Sequence, residues 1–94
     1  MNFKEFKNSL SANNPPAGIS DLLKALWYDA NDDWEKAHSI AQDIAGKEGS
    51  LLHAYLHRVE GDTWNAGYWY NRARSDHFNG SLEEEWESLV KMFL

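Results

Sequence analysis

Cysteine is absent from this 94-residue sequence, which excludes disulfide bonds, thiolate metal sites and a cysteine nucleophile. No apolar run approaches the ~20 residues that span a bilayer, and the first residues lack the apolar stretch of a signal peptide. Basic residues are the minority, since 9 Lys and Arg stand against 15 Asp and Glu and give a net charge of −6. Without a membrane-spanning run or a signal peptide we expect a cytoplasmic protein that does not bind membranes. Because a negative chain repels phosphate backbones, we also expect no binding to nucleic acids.

β-branched residues are scarce as well, and no segment alternates apolar and polar residues in the manner of a strand. What the sequence does contain is 43% hydrophobic residues and five Trp, enough bulk for the core of one small domain. We therefore predict a single all-α domain over residues 1–94.

Helices are predicted at both ends of the chain. One over residues 2–10 is indicated by apolar residues at helical spacing, Phe3, Phe6 and Leu10. The other covers residues 82–93 and begins with a capping box formed by Ser81 and Glu84. The two adjacent prolines after residue 14 separate the first helix from the rest of the chain.

Two helix pairs are predicted between these ends, over residues 20–45 and 50–74. Each helix of these pairs begins at a residue whose side chain accepts backbone hydrogen bonds, namely Ser20, Asp33, Ser50 and Asp62. Gly46 and Gly49 are predicted to break the chain between the pairs.

The two pairs also repeat in sequence. Residues 22–44 align with the residues 29 positions later, and five aligned positions are identical. These positions are Leu22 and Leu51, Leu23 and Leu52, Ala25 and Ala54, Asp33 and Asp62, and Ala37 and Ala66. Alanines are expected where two helices cross closely, because a larger side chain holds the helix axes apart.

The second copy reads Ala54-x-x-His57-x-x-x-Gly61-Asp62-x-x-x-Ala66-x-x-x-Tyr70-x-x-Ala73, which resembles the tetratricopeptide repeat. Its segment from Ala66 to Ala73 is similar to the second helix of SEL-type repeats. The first copy has Asp32 where the family favours Gly. The resemblance implies two antiparallel helical hairpins, flanked here by an N-terminal helix and a C-terminal capping helix, and it implies no particular function.

In tetratricopeptide-like proteins the first helices of the pairs line a concave groove. We expect the two terminal helices to cover this groove; the alternative is a groove open to a peptide or partner helix. A homodimer could also close it, through Leu26, Trp27, Tyr55 and Leu56.

His53, His57 and Glu60 lie at i, i+4 and i+7 and share one helix face, as metal ligands would. The competing interpretation is structural. His57 aligns with Tyr28, where the repeat family packs an aromatic side chain between helices, and His53 aligns with Lys24, which indicates a surface position. We expect no metal here and keep the three residues as an alternative metal site.

Trp64, Tyr68 and Arg72 follow one another at i, i+4 steps on the side of their helix opposite Ala66 and Tyr70. The favoured interpretation is that the final helix lays Trp86 and Leu89 against them. The alternative is an exposed patch of the residue types that dominate binding hot spots.

No Gly-x-Ser-x-Gly motif and no Gly-rich phosphate loop is present, so we expect no enzyme and no cofactor. The leading hypothesis is a non-enzymatic module that binds a protein, a peptide or a second copy of itself. Its predicted partner-binding residues are Tyr55, Arg58, Trp64, Tyr68 and Arg72. The alternative hypothesis is a small metal- or ligand-binding enzyme that uses His53, His57 and Glu60.

Overall fold

The structure, a computed structural model of residues 1–94, consists of six α-helices joined by turns and loops, with no strand. The helices are α1 (Phe3–Ser9), α2 (Asp21–Ala30), α3 (Trp34–Gln42), α4 (Gly46–Val59), α5 (Thr63–Arg72) and α6 (Leu82–Phe93). The predicted all-α class is confirmed. None of the six helices is both long and apolar enough to cross a membrane.

Side chains cap the helices at most of the predicted positions. Ser20, Asp33 and Asp62 each accept a hydrogen bond from the backbone N–H three residues later, at 3.3, 3.2 and 3.0 Å. Ser81 and Glu84 form a reciprocal capping box at the start of α6. Each cap satisfies a backbone donor that has no partner inside its own helix, and so defines where the helix begins.

Helix α4 begins at Gly46, four residues before the predicted cap at Ser50, which is a buried residue inside the helix. Gly49 does not break the chain either. A Cβ atom at this position would lie 2.1 Å from the carbonyl oxygen of Ile44, so the residue must be glycine for α4 to pass this close to the preceding segment.

The turns inside the two helix pairs have the same backbone hydrogen bonds. The N–H of Asp33 donates to the carbonyl of Tyr28, and the N–H of Asp62 donates to that of His57, both at 2.9 Å. The preceding residues, Asp32 and Gly61, both have positive φ, at 63° and 84°. Aspartate is among the residues that tolerate this left-handed conformation, which explains how it replaces glycine in the first turn.

Helix α2 packs against α3 and α4 against α5, and α3 packs against α4. The alanines at these crossings are buried, as their spacing predicts: Ala25, Ala37, Ala41, Ala54 and Ala66. Helix α6 lies against α1, α2 and α4, so that the two terminal helices cover the first helices of the pairs. The opening that remains there is a depression of about 310 Å³ between α1, α2, α4 and α6.

Candidate functional site

Helix α5 exposes a row of aromatic and cationic side chains that we call the aromatic face, formed by Trp64, Tyr68 and Arg72. Trp64 is 78% exposed and Tyr68 45%. Their rings are nearly parallel, with centroids 6.5 Å apart. Arg72 Nη1 donates to the hydroxyl oxygen of Tyr68 at 3.2 Å, and its guanidinium lies 5.4 Å from the ring centre of Trp69.

The aromatic face is free because α5 packs against α4 and contacts α6 through the Tyr70 hydroxyl, on its opposite side. Ala66 and Tyr70 occupy the side that faces α4, and the aromatic face lies on the opposite side. The expectation that α6 covers it with Trp86 is wrong. The indole of Trp86 instead contacts the rings of Phe3 and Phe6, and its Nε1 donates to the carbonyl of Leu26.

Three cations surround a depression of about 360 Å³ where α5 ends beside the start of α4. We call this the basic corner, formed by Lys47, Arg72 and Arg74. The four ion pairs of the chain involve other residues, so all three cations are without a carboxylate partner. In a chain of net charge −6 this is a local concentration of positive charge, and Arg72 joins it to the aromatic face.

A second depression of about 360 Å³ lies beside the exposed rings. It is lined by Thr63, Trp64, Gly67, Tyr68 and Asn71. An apolar side chain would enter this depression with the Trp64 and Tyr68 rings next to it.

Two of the predicted partner-binding residues lie elsewhere. Tyr55 is only 4% exposed, and its hydroxyl donates to Asp29 Oδ2 at 2.6 Å. Arg58 is half-buried and bonded to Glu85 Oε1 at 2.6 Å and to the carbonyl of Gly80 at 2.9 Å. Both side chains therefore hold helices together and are not available to a partner.

The residues predicted to close a homodimer are not on the surface. Leu26, Trp27 and Leu56, like Tyr55, belong to the main hydrophobic core. They are buried because α1 and α6 cover α2 and α4, so a homodimer must use another surface.

Three histidines meet where α3 packs against α4, and we call them the histidine cluster: His38, His53 and His57. One ring nitrogen of each lies within 4.8 Å of one ring nitrogen of the other two. His53 and His57 stand one turn apart on α4, and His38 comes from α3. The expectation that His53 lies at the surface is wrong, since it is 5% exposed.

Two tryptophans form the walls of the histidine cluster. The indole of Trp69 stacks on His53, with centroids 4.1 Å apart, and that of Trp34 stacks on His38 at 4.7 Å. Trp34 is itself held in place, because its Nε1 donates to the carbonyl of Leu56 at 2.7 Å. The imidazole orientations are thus restrained by packing from α3 and α5.

Burial, followed by the neighbouring histidines, lowers the pKa of His53 to about 4. Burial lowers the pKa of His38 as well. At neutral pH both rings are therefore uncharged, and an uncharged imidazole carries one nitrogen with a free lone pair.

Glu60 lies beside the cluster and not within it. His57 Nδ1 donates to Glu60 Oε1 at 2.6 Å, so Nε2 is the His57 nitrogen that has no hydrogen-bond partner in the chain. The predicted set of His53, His57 and Glu60 is therefore corrected, with His38 in the place of Glu60. Sequence reasoning missed His38 because it lies on another helix, although its i, i+4 spacing from Trp34 places both on one face of α3.

No family model, no curated protein and no solved structure matches the chain. The tetratricopeptide resemblance accordingly stays a prediction.

Proposed function

We propose that the chain is a non-enzymatic interaction module that binds an acidic segment of a partner protein on the aromatic face and the basic corner. The observation that carries the proposal is the exposure of Trp64 and Tyr68 on a helix whose opposite side builds the core. When a partner covers these two rings and displaces the water around them, the buried apolar area contributes a large part of the binding free energy.

The residue types support this assignment. Trp, Tyr and Arg are the residues most enriched in binding hot spots. Here one of each lies in a single row along α5, and the contact between Arg72 and Tyr68 holds them in a defined arrangement before binding. A surface that is already ordered loses less conformational entropy when a partner binds.

Charge complementarity indicates the chemistry of the partner. Lys47, Arg72 and Arg74 present three cations without carboxylate partners, so an acidic segment gains ion pairs without breaking existing ones. The depression beside Gly67 has room for an apolar side chain. We therefore expect a ligand with one apolar or aromatic residue next to two or more Asp or Glu residues.

The experiment is a selection of peptides from a random phage-displayed library on the folded chain, followed by titrations of the selected peptides. We expect enrichment of acidic peptides that contain an apolar residue, and weaker binding as salt is raised. Trp64→Ala and Arg72→Glu should each weaken binding at least about tenfold, in the range of hot-spot losses.

Matched controls replace one exposed apolar side chain and one exposed cation away from this surface. Met92→Ala removes another exposed apolar side chain, and Lys4→Glu reverses another exposed cation. Both should bind the selected peptides as the unaltered chain does. A selection without acidic enrichment, or peptides that bind the Trp64 and Arg72 variants unchanged, contradicts the proposal.

A second copy of the chain is a special case of an acidic partner, because Glu83 and Glu84 are exposed at the start of α6. Sedimentation at increasing concentration distinguishes the cases. A homodimer that Arg72→Glu dissociates assigns the surface to self-association, whereas a monomer assigns it to a different protein.

The enzyme hypothesis has less support. Its carboxylate, Glu60, is bonded to His57, and Asp62 is engaged by the backbone and side chain of Asn65. Neither is a free general base, and we therefore prefer an interaction module.

A further inference from the structure

The histidine cluster has hydrogen-bonding capacity that the protein does not use. The imidazoles of His38 and His53 form no hydrogen bond, although every fully buried side-chain nitrogen and oxygen has a partner. Their free nitrogens must therefore reach solvent at the edge of the cluster. Three imidazoles with one ring nitrogen of each within 4.8 Å of the others have the donors of a metal site, and the exposed nitrogens give an ion access to it.

The distances fit a metal ion after small adjustments. Zinc–nitrogen bonds of about 2.0–2.1 Å place the nitrogens of a tetrahedral site about 3.3 Å apart. The three ring nitrogens already lie within 4.8 Å of one another, so displacements of about 1 Å bring them to that separation. All three ligands stand on packed helices, and two of them are one helical turn apart.

The surroundings of the cluster also match those of a metal site. Glu60 accepts from His57 Nδ1 at 2.6 Å, the carboxylate–histidine contact that orients a ligating imidazole and leaves Nε2 for the metal. Trp34 and Trp69 flank His38 and His53 and keep water from two sides. The other group of potential metal ligands, His57 with Glu60 and Asp62, is less suited because both carboxylates already have partners.

The donor set selects the class of ion. Neutral imidazoles suit Zn²⁺, Co²⁺, Ni²⁺ and Cu²⁺, whereas Mg²⁺ and Ca²⁺ require oxygen ligands that the cluster lacks. We propose that His38, His53 and His57 bind one divalent transition-metal ion, Zn²⁺ foremost, with the fourth coordination position open to solvent. Glu60 is a positioning residue for His57 and does not contact the ion.

Cobalt(II) alone is the first probe, because a tetrahedral Co²⁺ site gives strong visible absorption. We expect the chain to develop these bands up to one Co²⁺ per molecule and to lose them when Zn²⁺ is added. Calorimetry with Zn²⁺ alone should give the same stoichiometry, and excess Zn²⁺ should raise the melting temperature. Absence of both the bands and Zn²⁺ binding in the unaltered chain overturns the proposal.

Variants locate the ion. His38→Ala should weaken Zn²⁺ binding at least about tenfold, and Glu60→Gln should weaken it about 10- to 100-fold with the cobalt bands still present. The matched control is His77→Ala, which removes an exposed histidine outside the cluster. Loss of binding in the His77 variant, or unchanged binding in the His38 variant, contradicts the assignment.

A readout without substitution guards against variants that fail to fold. Imidazole NMR signals of the unaltered chain should shift together for His38, His53 and His57 when Zn²⁺ is added, while those of His77 stay in place. Shifts confined to His77, or to one member of the cluster, contradict a three-histidine site.

Discussion

Trp64 and Trp86 show how differently the same residue type is used in this chain. Trp86 is buried against two phenylalanines, and its indole N–H donates to a backbone carbonyl on α2. Trp64 is 78% exposed and contacts Tyr68 along its own helix. The sequence places each tryptophan in a row of apolar or aromatic residues along one face of its helix. Which of the two rows becomes part of the core is decided by the packing of α6.

We predict that Trp86→Ala lowers the free energy of unfolding by about 3–5 kcal/mol, the usual loss for a buried aromatic side chain. The reason is the cavity left between α1, α2 and α6. Urea denaturation measures the change, with Met92→Ala on the same helix as a control that should stay within about 0.5 kcal/mol. Equal stability of the two variants would show that α6 is an appendage.

The histidine cluster makes stability depend on pH in the metal-free chain. The pKa of His53 is about 4 in the folded chain, whereas an unfolded histidine has a pKa near 6.5. Between these values the unfolded chain binds more protons, so stability falls as the pH is lowered, by up to about 1.4 kcal/mol per pH unit. His38 adds to the effect, because its pKa is also lowered.

The test is urea denaturation at pH 7, 6 and 5 in the presence of a chelator. His53→Phe keeps an aromatic ring against Trp69 and removes the titrating group, so its stability should change less over this range. A His53→Phe profile as steep as that of the unaltered chain contradicts the assigned pKa.

At the scale of elements, sequence reasoning located five of the six helix starts to within about one residue, because local capping chemistry decides them. It placed the cap of α4 at Ser50, five residues after the actual cap at Ala45. Ser50 has the right side chain for a cap, but the approach of the Ile44 carbonyl to Gly49 depends on how α4 packs after the turn. His38 could not be predicted as a member of the histidine cluster for the same reason, since it meets His53 and His57 only when α3 packs on α4.

Gly49→Ala should therefore destabilise the chain by about 1–3 kcal/mol or more, although alanine has the higher helix propensity. The added Cβ meets a backbone carbonyl, which cannot rotate away as a side chain would. Thermal unfolding measures the loss. A variant with raised stability would indicate that α4 begins later than Gly46.

Arg58 and Glu85 connect α4 to α6. Glu85 is a buried carboxylate that accepts hydrogen bonds from Arg58 and from the hydroxyl of Tyr70, and Arg58 also donates to the carbonyl of Gly80. The sequence alone predicts a surface cation at Arg58, because its partner, Glu85, lies 27 positions later in the chain. The contact forms only after α6 folds back.

Arg58→Ala should lower the free energy of unfolding by about 3–5 kcal/mol, because it leaves the Glu85 carboxylate buried without its cation. The double variant with Glu85→Gln should recover part of the loss, since the uncompensated charge is gone. Chemical denaturation of the two single variants and the double variant provides the comparison. Additive losses contradict direct coupling of the two side chains.

At the scale of the whole molecule, the main core and the proposed binding surface lie on opposite sides of the second helix pair. Helices α1, α2, α3, α4 and α6 contribute to the main core, while α5 contributes Ala66 and Tyr70 to a smaller cluster and leaves its outer side uncovered. The histidine cluster lies between them, with Trp69 contacting both His53 and Arg72. The all-α class was predictable from composition and capping, but which surface stayed uncovered was not.

The most direct test of the central claim measures stability and binding together in the double variant Trp64→Ala/Arg72→Glu. If the outer side of α5 is a binding surface, the variant should unfold at the same urea concentration as the unaltered chain and bind the selected acidic peptide at least about a hundredfold more weakly. A variant that binds the peptide unchanged, or one that unfolds at much lower urea because these side chains support the fold, contradicts the claim.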